Sequence, residues 1–228
     1  MKKIHDFIKT YHHGIYIVVY MVVYLFFFYL IEHMNIPESA YTILHTGLDD
    51  RIPFVKEFVL AYDSWFLFVG LYVCLFVFFD REEYTKLFTV LTVGMTVFLI
   101  LSALWPNAHD LRPVEQVQAG KGLCYGLLRR LYSADTCTNL VPSIHVYNSV
   151  MIVVAVWRSK IVGRNLWVRI LTTVWGLFIV LSTMFIKQHS VIDVTSAIVL
   201  CIIMYLITYV GGLDFFHLFK TKKVTEED

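Results

Sequence analysis

The chain has 228 residues, 58% of them hydrophobic and only 16% charged, with a mean hydropathy of +0.66. Soluble domains run at about half apolar and a quarter charged, so an ordinary soluble domain does not fit. A net charge of +1 and a pI near 7.7 give no case for nucleic-acid binding. Five or six apolar runs are each long enough to cross a bilayer, which takes roughly 20 residues of helix. The expected fold is all-α: one polytopic membrane bundle of six transmembrane helices over residues 1–228, with short cytoplasmic tails at 1–13 and 213–228.

The N-terminal arm carries Lys2, Lys3 and Lys9. The first span covers about 14–31, dense in Tyr, Phe and Val, and ends in Glu32 and His33. It is long and lacks a small-residue cleavage site, so it reads as a retained span rather than a signal peptide. Pro37 opens a loop. Residues 50–62 (D-R-I-P-F-V-K-E-F-V-L-A-Y) are too short and charged to span. Their pattern suits either a helix on the membrane surface or a loop packed against the bundle. The second span covers about 64–79, 80–86 (D-R-E-E-Y-T-K) is a tight charged turn, and the third span covers about 87–104.

Residues 107–140 form the longest polar region, and a loop this long inside a compact bundle is more often functional than incidental. It holds Cys124 and Cys137, whose alternatives are a disulfide and two free thiols. The fourth span, about 145–157, is short, which fits a helix whose first turn lines a polar site. Residues 158–169 are a basic turn, and the fifth and sixth spans cover about 170–186 and 191–210. The last ends at Gly211-Gly212, a helix stop, before a tail with Lys220, Lys222 and Lys223. With both termini inside, the inner segments hold 12 Lys and Arg and the outer ones 7, as the positive-inside rule requires. Under this topology Arg112, His145 and His189 all fall on the outer face.

Three stretches carry chemistry. In S-T-M-F-I-K-Q-H-S-V-I-D, residues 182–193, His189 and Asp193 are four apart, so on a helix they share a face. A carboxylate on one ring nitrogen fixes the tautomer and makes the other nitrogen more basic, which suits a nucleophilic or proton-transferring histidine. The bland alternative is a structural pair or half a metal site. No further His or Cys cluster at ligand spacing accompanies the pair, so no metal and no cofactor are expected. In V-P-S-I-H, residues 141–145, Ser143 stands where the fourth helix begins, a ready anion site as well as an ordinary cap. His145 is a second histidine. In D-L-R-P, residues 110–113, Arg112 offers a fork matched to phosphate oxygens, or a surface arginine at headgroup level. Ionisable groups at membrane depth are costly and are functional candidates by default. The three stretches are expected to converge on a phosphate.

Pro142-Ser143-x-His145 and Ser182-x6-His189-x3-Asp193 resemble the second and third motifs of the type 2 phosphatidic acid phosphatase superfamily, and Arg112-Pro113 resembles the end of its first. The stretch I-P-F-V-K-E-F before the second span is also similar to what membrane members carry there, so the likeness runs from about residue 49 to 200. The resemblance implies a six-helix membrane fold with its site at the outer surface. It implies that His189 attacks phosphorus to form a phosphohistidine, that Asp193 orients it, that His145 protonates the leaving oxygen, and that Ser143 and Arg112 bind phosphate. Two cations of the family pattern are missing: Trp105 stands at the first-motif lysine and Thr183 at the third-motif arginine. Lys187 lies one helical turn beyond Thr183 and shares its face if the helix continues, so it is the candidate replacement. Losses of this kind occur in the branch resembling sphingomyelin and inositol phosphorylceramide synthases.

The expected function is hydrolysis of a lipid phosphate at the outer surface of the cell membrane, with membrane lipids as partners. The alternative is a phosphotransferase that passes the same intermediate to an alcohol. A small transporter is the rival from another class, but it would not need H-x-x-x-D, P-S-x-H and R-P on one face.

Overall fold

A computed structural model describes residues 11–213. The lysines assigned to the two tails lie outside these residues. Long apolar helices are joined by a little irregular chain. They are α1 (Ile15–Glu32), α2 (Val59–Asp63), α3 (Trp65–Phe79), α4 (Arg81–Leu104), α5 (Val114–Ala119), α6 (Leu123–Ala134), α7 (Ile144–Arg158), α8 (Leu166–Phe185) and α9 (Val191–Tyr205). Two residue-pair strands, β1 (Thr42–Ile43) and β2 (Asn107–Ala108), run parallel and tie the loop after α1 to the loop after α4.

Among the described residues, five helical stretches are long and apolar enough to cross a membrane: His12–Glu32, Lys56–Phe79, Arg81–Leu104, Leu166–Phe185 and Val191–Val210. The protein is a membrane-embedded all-α bundle. The outer surface of α1 shows why: Val18, Val22 and Phe26 are each more than half exposed, and the helix buries only Tyr24 and Ile31. A helix apolar on all sides belongs in lipid.

The short fourth run, α7, is the hub. Nine of its fifteen residues are buried, and it packs against α3, α4, α8 and α9. A helix surrounded by others need not match the thickness of the hydrocarbon on its own. Gly94 lets α4 approach it. A Cβ on Gly94 would lie 2.0 Å from Cε1 of Tyr147, whose ring is buried and whose hydroxyl donates to the Val90 carbonyl at 2.7 Å.

Two element boundaries differ from the sequence expectation. Residues 50–62 are neither a surface helix nor a packed loop throughout: from Lys56 the chain is already helical and runs through a step at Ser64 into α3. The segment is held by its own apolar side chains, since Val59 and Tyr62 pack with Val117, Leu128 and Ile186. Residues 80–86 are not a turn either. Asp80 alone breaks the chain and caps α4, accepting from the Glu83 N–H at 3.1 Å, so the charged residues after it form the first turn of the helix. Acidic residues there match the positive end of the helix dipole. The expected stop at 211–212 is present, with Gly212 at φ 71°.

Candidate active site

The third motif is built by two helix ends facing each other. α8 finishes in a Schellman turn, in which the Lys187 N–H donates to the Met184 carbonyl at 3.0 Å and the Gln188 N–H to the Thr183 carbonyl at 2.9 Å. The residue at the left-handed position of that turn, φ 56°, is Lys187 rather than the usual glycine. α9 then starts with a capping box: Ser190 Oγ accepts from the Asp193 N–H while the Asp193 carboxylate accepts from the Ser190 N–H at 2.9 Å.

His189 therefore lies in the tight connection, one residue before the cap, not on a helix with Asp193. The two still meet. Asp193 is fully buried and reaches back through the capping box, and its Oδ2 also pairs with His189 Nδ1 at 3.2 Å. Serving both the cap and the ring fixes the carboxylate, and a charge-assisted bond of this type contributes about 1.5–3 kcal/mol. The His189 N–H shares the Thr183 carbonyl at 3.0 Å, so the backbone under the ring is held as well.

The second motif docks on the third through the Ser143 N–H, which donates to the Asp193 carbonyl at 3.3 Å. Ser143 caps α7, accepting from the Val146 N–H at 3.4 Å. Two residues on, His145 is held between the rings of Tyr62 and Trp65, with centroids at 4.3 and 4.4 Å. Its own ring lies 5.9 Å from that of His189. The two histidines are thus neighbours.

Arg112 reaches the same end of the bundle but in a cage of carbonyls. Nη2 donates to the carbonyls of Asp135 and Thr136 at 2.9 and 2.8 Å, and Nη1 to that of Tyr132 at 3.4 Å. The guanidinium stacks over the Tyr132 ring at 4.6 Å, and Nε has no partner. It borders a pocket of about 320 Å³ lined also by His109, Arg129, Tyr132, Ser133 and Cys137. Neither Arg112 nor Arg129 is in an ion pair among the described residues; Arg129 donates to the carbonyls of Val117 and Gly120.

Lys187 is placed elsewhere. Its premise, a helix continuing past Thr183, fails because the helix ends at Phe185. The ammonium donates to the carbonyls of Asp49 and Ile52 at 2.7 and 2.6 Å, fastening the loop after β1 to the connection that carries His189. Burial pushes its pKa down, opposed by Asp49 and Asp50. The vacant family positions are filled without charge: Thr183 is buried with its hydroxyl on the Val180 carbonyl, and the Trp105 indole donates to Thr42. Cys124 and Cys137 are free thiols. Cys124 packs on the Val59 and Tyr62 cluster, whereas Cys137 borders the pocket.

Three residues of the site carried no motif. Asp49 is buried and accepts from the Val191 N–H at 2.8 Å, so it holds the first turn of α9. His109 donates from Nε2 to the Gln188 carbonyl at 2.8 Å and accepts at Nδ1 from the Leu111 N–H at 3.2 Å. That pairing needs the neutral ring, and burial lowers its pKa accordingly. Asp135 accepts from Tyr62 Oη and Gln188 Nε2, both at 3.0 Å. Burial raises the Asp135 pKa, against the opposing pull of His189 and Arg112. Of the three, only His109 and Asp135 had a sequence signal: ionisable groups in the long polar loop. No known family model, curated protein or solved structure matches the chain.

Proposed function

We propose that the protein is a membrane lipid-phosphate phosphatase of the type 2 phosphatidic acid phosphatase kind, working through a phosphohistidine. The observation that carries this reading is the pair of histidine rings 5.9 Å apart, with His189 held at Nδ1 by a buried aspartate. With Nδ1 occupied, Nε2 of His189 is the free lone pair. It attacks phosphorus, the bond from phosphorus to the lipid oxygen breaks, and His145 gives that oxygen a proton, so the lipid alcohol leaves neutral. His145, now deprotonated, takes a proton from water, and the hydroxide formed displaces His189 to release phosphate. Arg112 and the N–H groups at the start of α7 face the phosphate charge. α7, fourth in chain order, brings the crossings to six in this reading, both termini are cytoplasmic, and the site faces outward.

A second reading is favoured by the uncharged Trp105 and Thr183 at the family's cation positions. A phosphodiester monoanion needs less positive charge than a phosphomonoester dianion, so the same centre would then pass a phospho-headgroup to an alcohol. One experiment addresses both: turnover of labelled lipid phosphates and phosphodiesters by purified protein, with and without an alcohol acceptor and with vanadate. Vanadate-sensitive release of phosphate supports the hydrolase, and acceptor-dependent product supports the transferase. Transport of solutes insensitive to vanadate, without turnover, would sink both.

A further inference from the structure

His145 lacks the direct carboxylate partner that His189 has, yet its ring is not left to turn freely. The Tyr62 hydroxyl lies 3.4 Å from its Nδ1 and donates to Asp135 Oδ2 at 3.0 Å. A hydroxyl has one hydrogen. Once it is given to Asp135, the oxygen has no hydrogen left for Nδ1, and the stacked imidazole keeps its own N–H groups in its plane; what holds His145 is the face of a phenol whose hydroxyl is pinned. Tyr62 is itself fixed: its ring is buried, stacked at 25° on His145 and packed among Val117, Leu128 and Ile186.

Asp135 also joins the other parts of the site. The oxygen that takes the Tyr62 proton also takes Gln188 Nε2, one residue before His189, and the Asp135 carbonyl takes Arg112. Gln188 Oε1 is buried with no partner among the described residues, so that side chain is held through its amide nitrogen, on Asp135.

We propose that Asp135 is a positioning residue for the general acid, acting through Tyr62 to hold the His145 ring in the orientation that presents a proton to the departing oxygen. This rests on the phosphoryl-transfer reading above. It assigns a task to a partly buried carboxylate that no motif contains.

A merely structural Asp135 would pin the 132–136 loop and affect all substrates alike. A residue acting through the acid matters only where the leaving oxygen needs a proton. The test compares an alkyl lipid phosphate with p-nitrophenyl phosphate, whose leaving group departs readily without protonation, on the full chain in lipid nanodiscs. Asp135→Asn and Tyr62→Phe should each lower kcat/KM for the alkyl ester at least about tenfold and scarcely affect the aryl ester. In a His145→Ala background, Asp135→Asn should add little further loss. Equal losses on both esters, or a full additional loss without His145, would overturn the assignment while leaving the phosphatase reading intact. A wild-type protein that turns over neither ester, with or without an alcohol acceptor, would overturn both. Should Tyr62→Phe fail to fold, the near-isosteric Asp135→Asn decides alone.

Discussion

The two ends of the bundle hold their helices together in different ways. At the end away from the site, connections are short and satisfy themselves. Asp80 alone separates α3 from α4. It caps α4 and accepts Ser159 Oγ at 2.6 Å, while that same Ser159 oxygen accepts from the N–H groups of Ile161 and Val162. At the site end, the loops before α2 and before α7 are longer and find their partners in the α8–α9 connection and in α2. Lys187 reaches Asp49 and Ile52, Asp49 reaches Val191, and Asp135 reaches Tyr62 and Gln188. Buried polar groups need partners wherever they are. Local partners are enough to turn a chain around; a site needs partners brought from several helices, because its groups must converge on something none of them supplies.

The comparison breaks most sharply at His189. His189→Ala should lower kcat by at least about 10³-fold and remove any acid-labile phosphoenzyme, since the proposed mechanism gives the covalent part to this residue. Stability should fall by no more than the lost bond to Asp193 accounts for, about 1.5–3 kcal/mol, because the capping box of α9 does not depend on the ring. Turnover close to normal in the folded variant would end the mechanism.

Gly94→Ala addresses the bundle rather than the site. The new Cβ meets the buried Tyr147 ring at 2.0 Å, so α4 and α7 must separate. Overpacking of this kind costs about 1–3 kcal/mol, offset in part by the better helix propensity of alanine. Thermal unfolding in detergent should show a clear drop, reversed when Tyr147→Leu is added. An unchanged melting temperature would mean that the helices do not approach this closely.

Lys187→Met separates the two ends' logic within a single residue. Loss of an ammonium bound to two carbonyls should destabilise the protein by about 1.5–3 kcal/mol. At low temperature kcat/KM should stay near that of the wild type. A tenfold loss of kcat/KM with unchanged melting would return Lys187 to the phosphate.

The smallest effect is expected at His45, whose ring nitrogens face Asp50 at 2.7 Å and Asp110 at 3.1 Å. Serving both carboxylates takes both N–H groups, hence the charged ring. The bond to Asp50, with the charges of Asp50 and Asp110, raises its pKa. A raised histidine pKa means that this clasp is fully present below the unfolded value of about 6.5 and is lost as pH rises through the folded value. Amide exchange in residues 44–50, corrected for its intrinsic pH dependence, should quicken on going from acid to alkaline pH. The change should vanish in His45→Gln and weaken in high salt. A wild-type loop indifferent to pH would show that the clasp holds nothing.

Most of the helices were legible because lipid imposes a simple condition. Any segment without water around its backbone must be helical and apolar, and α1, α4 and α9 meet that condition in sequence alone. The meeting of the second and third motifs was legible too, from spacing and order. The mistakes came where the chain ends one helix and starts the next. Spacing four apart puts His189 and Asp193 on one face only if both are helical, and a Schellman turn and a capping box stand between them. The same turn diverts Lys187. Its left-handed position is usually glycine, so a lysine there left no sign that the helix stops.

Composition and order by themselves determined that this is a membrane bundle and that two histidines, an aspartate, a serine and an arginine gather at one end of it. Those properties depend on hydropathy and on residue identity, both of which are local. Only the tertiary structure decided which carboxylate serves which histidine. It joined Asp135 to His145 through a tyrosine 83 residues before the histidine in the chain, and gave Lys187 to a loop 135 residues or more away. No periodicity encodes such pairings. They follow from where buried donors and acceptors find one another once α2, α6 and α7 have packed.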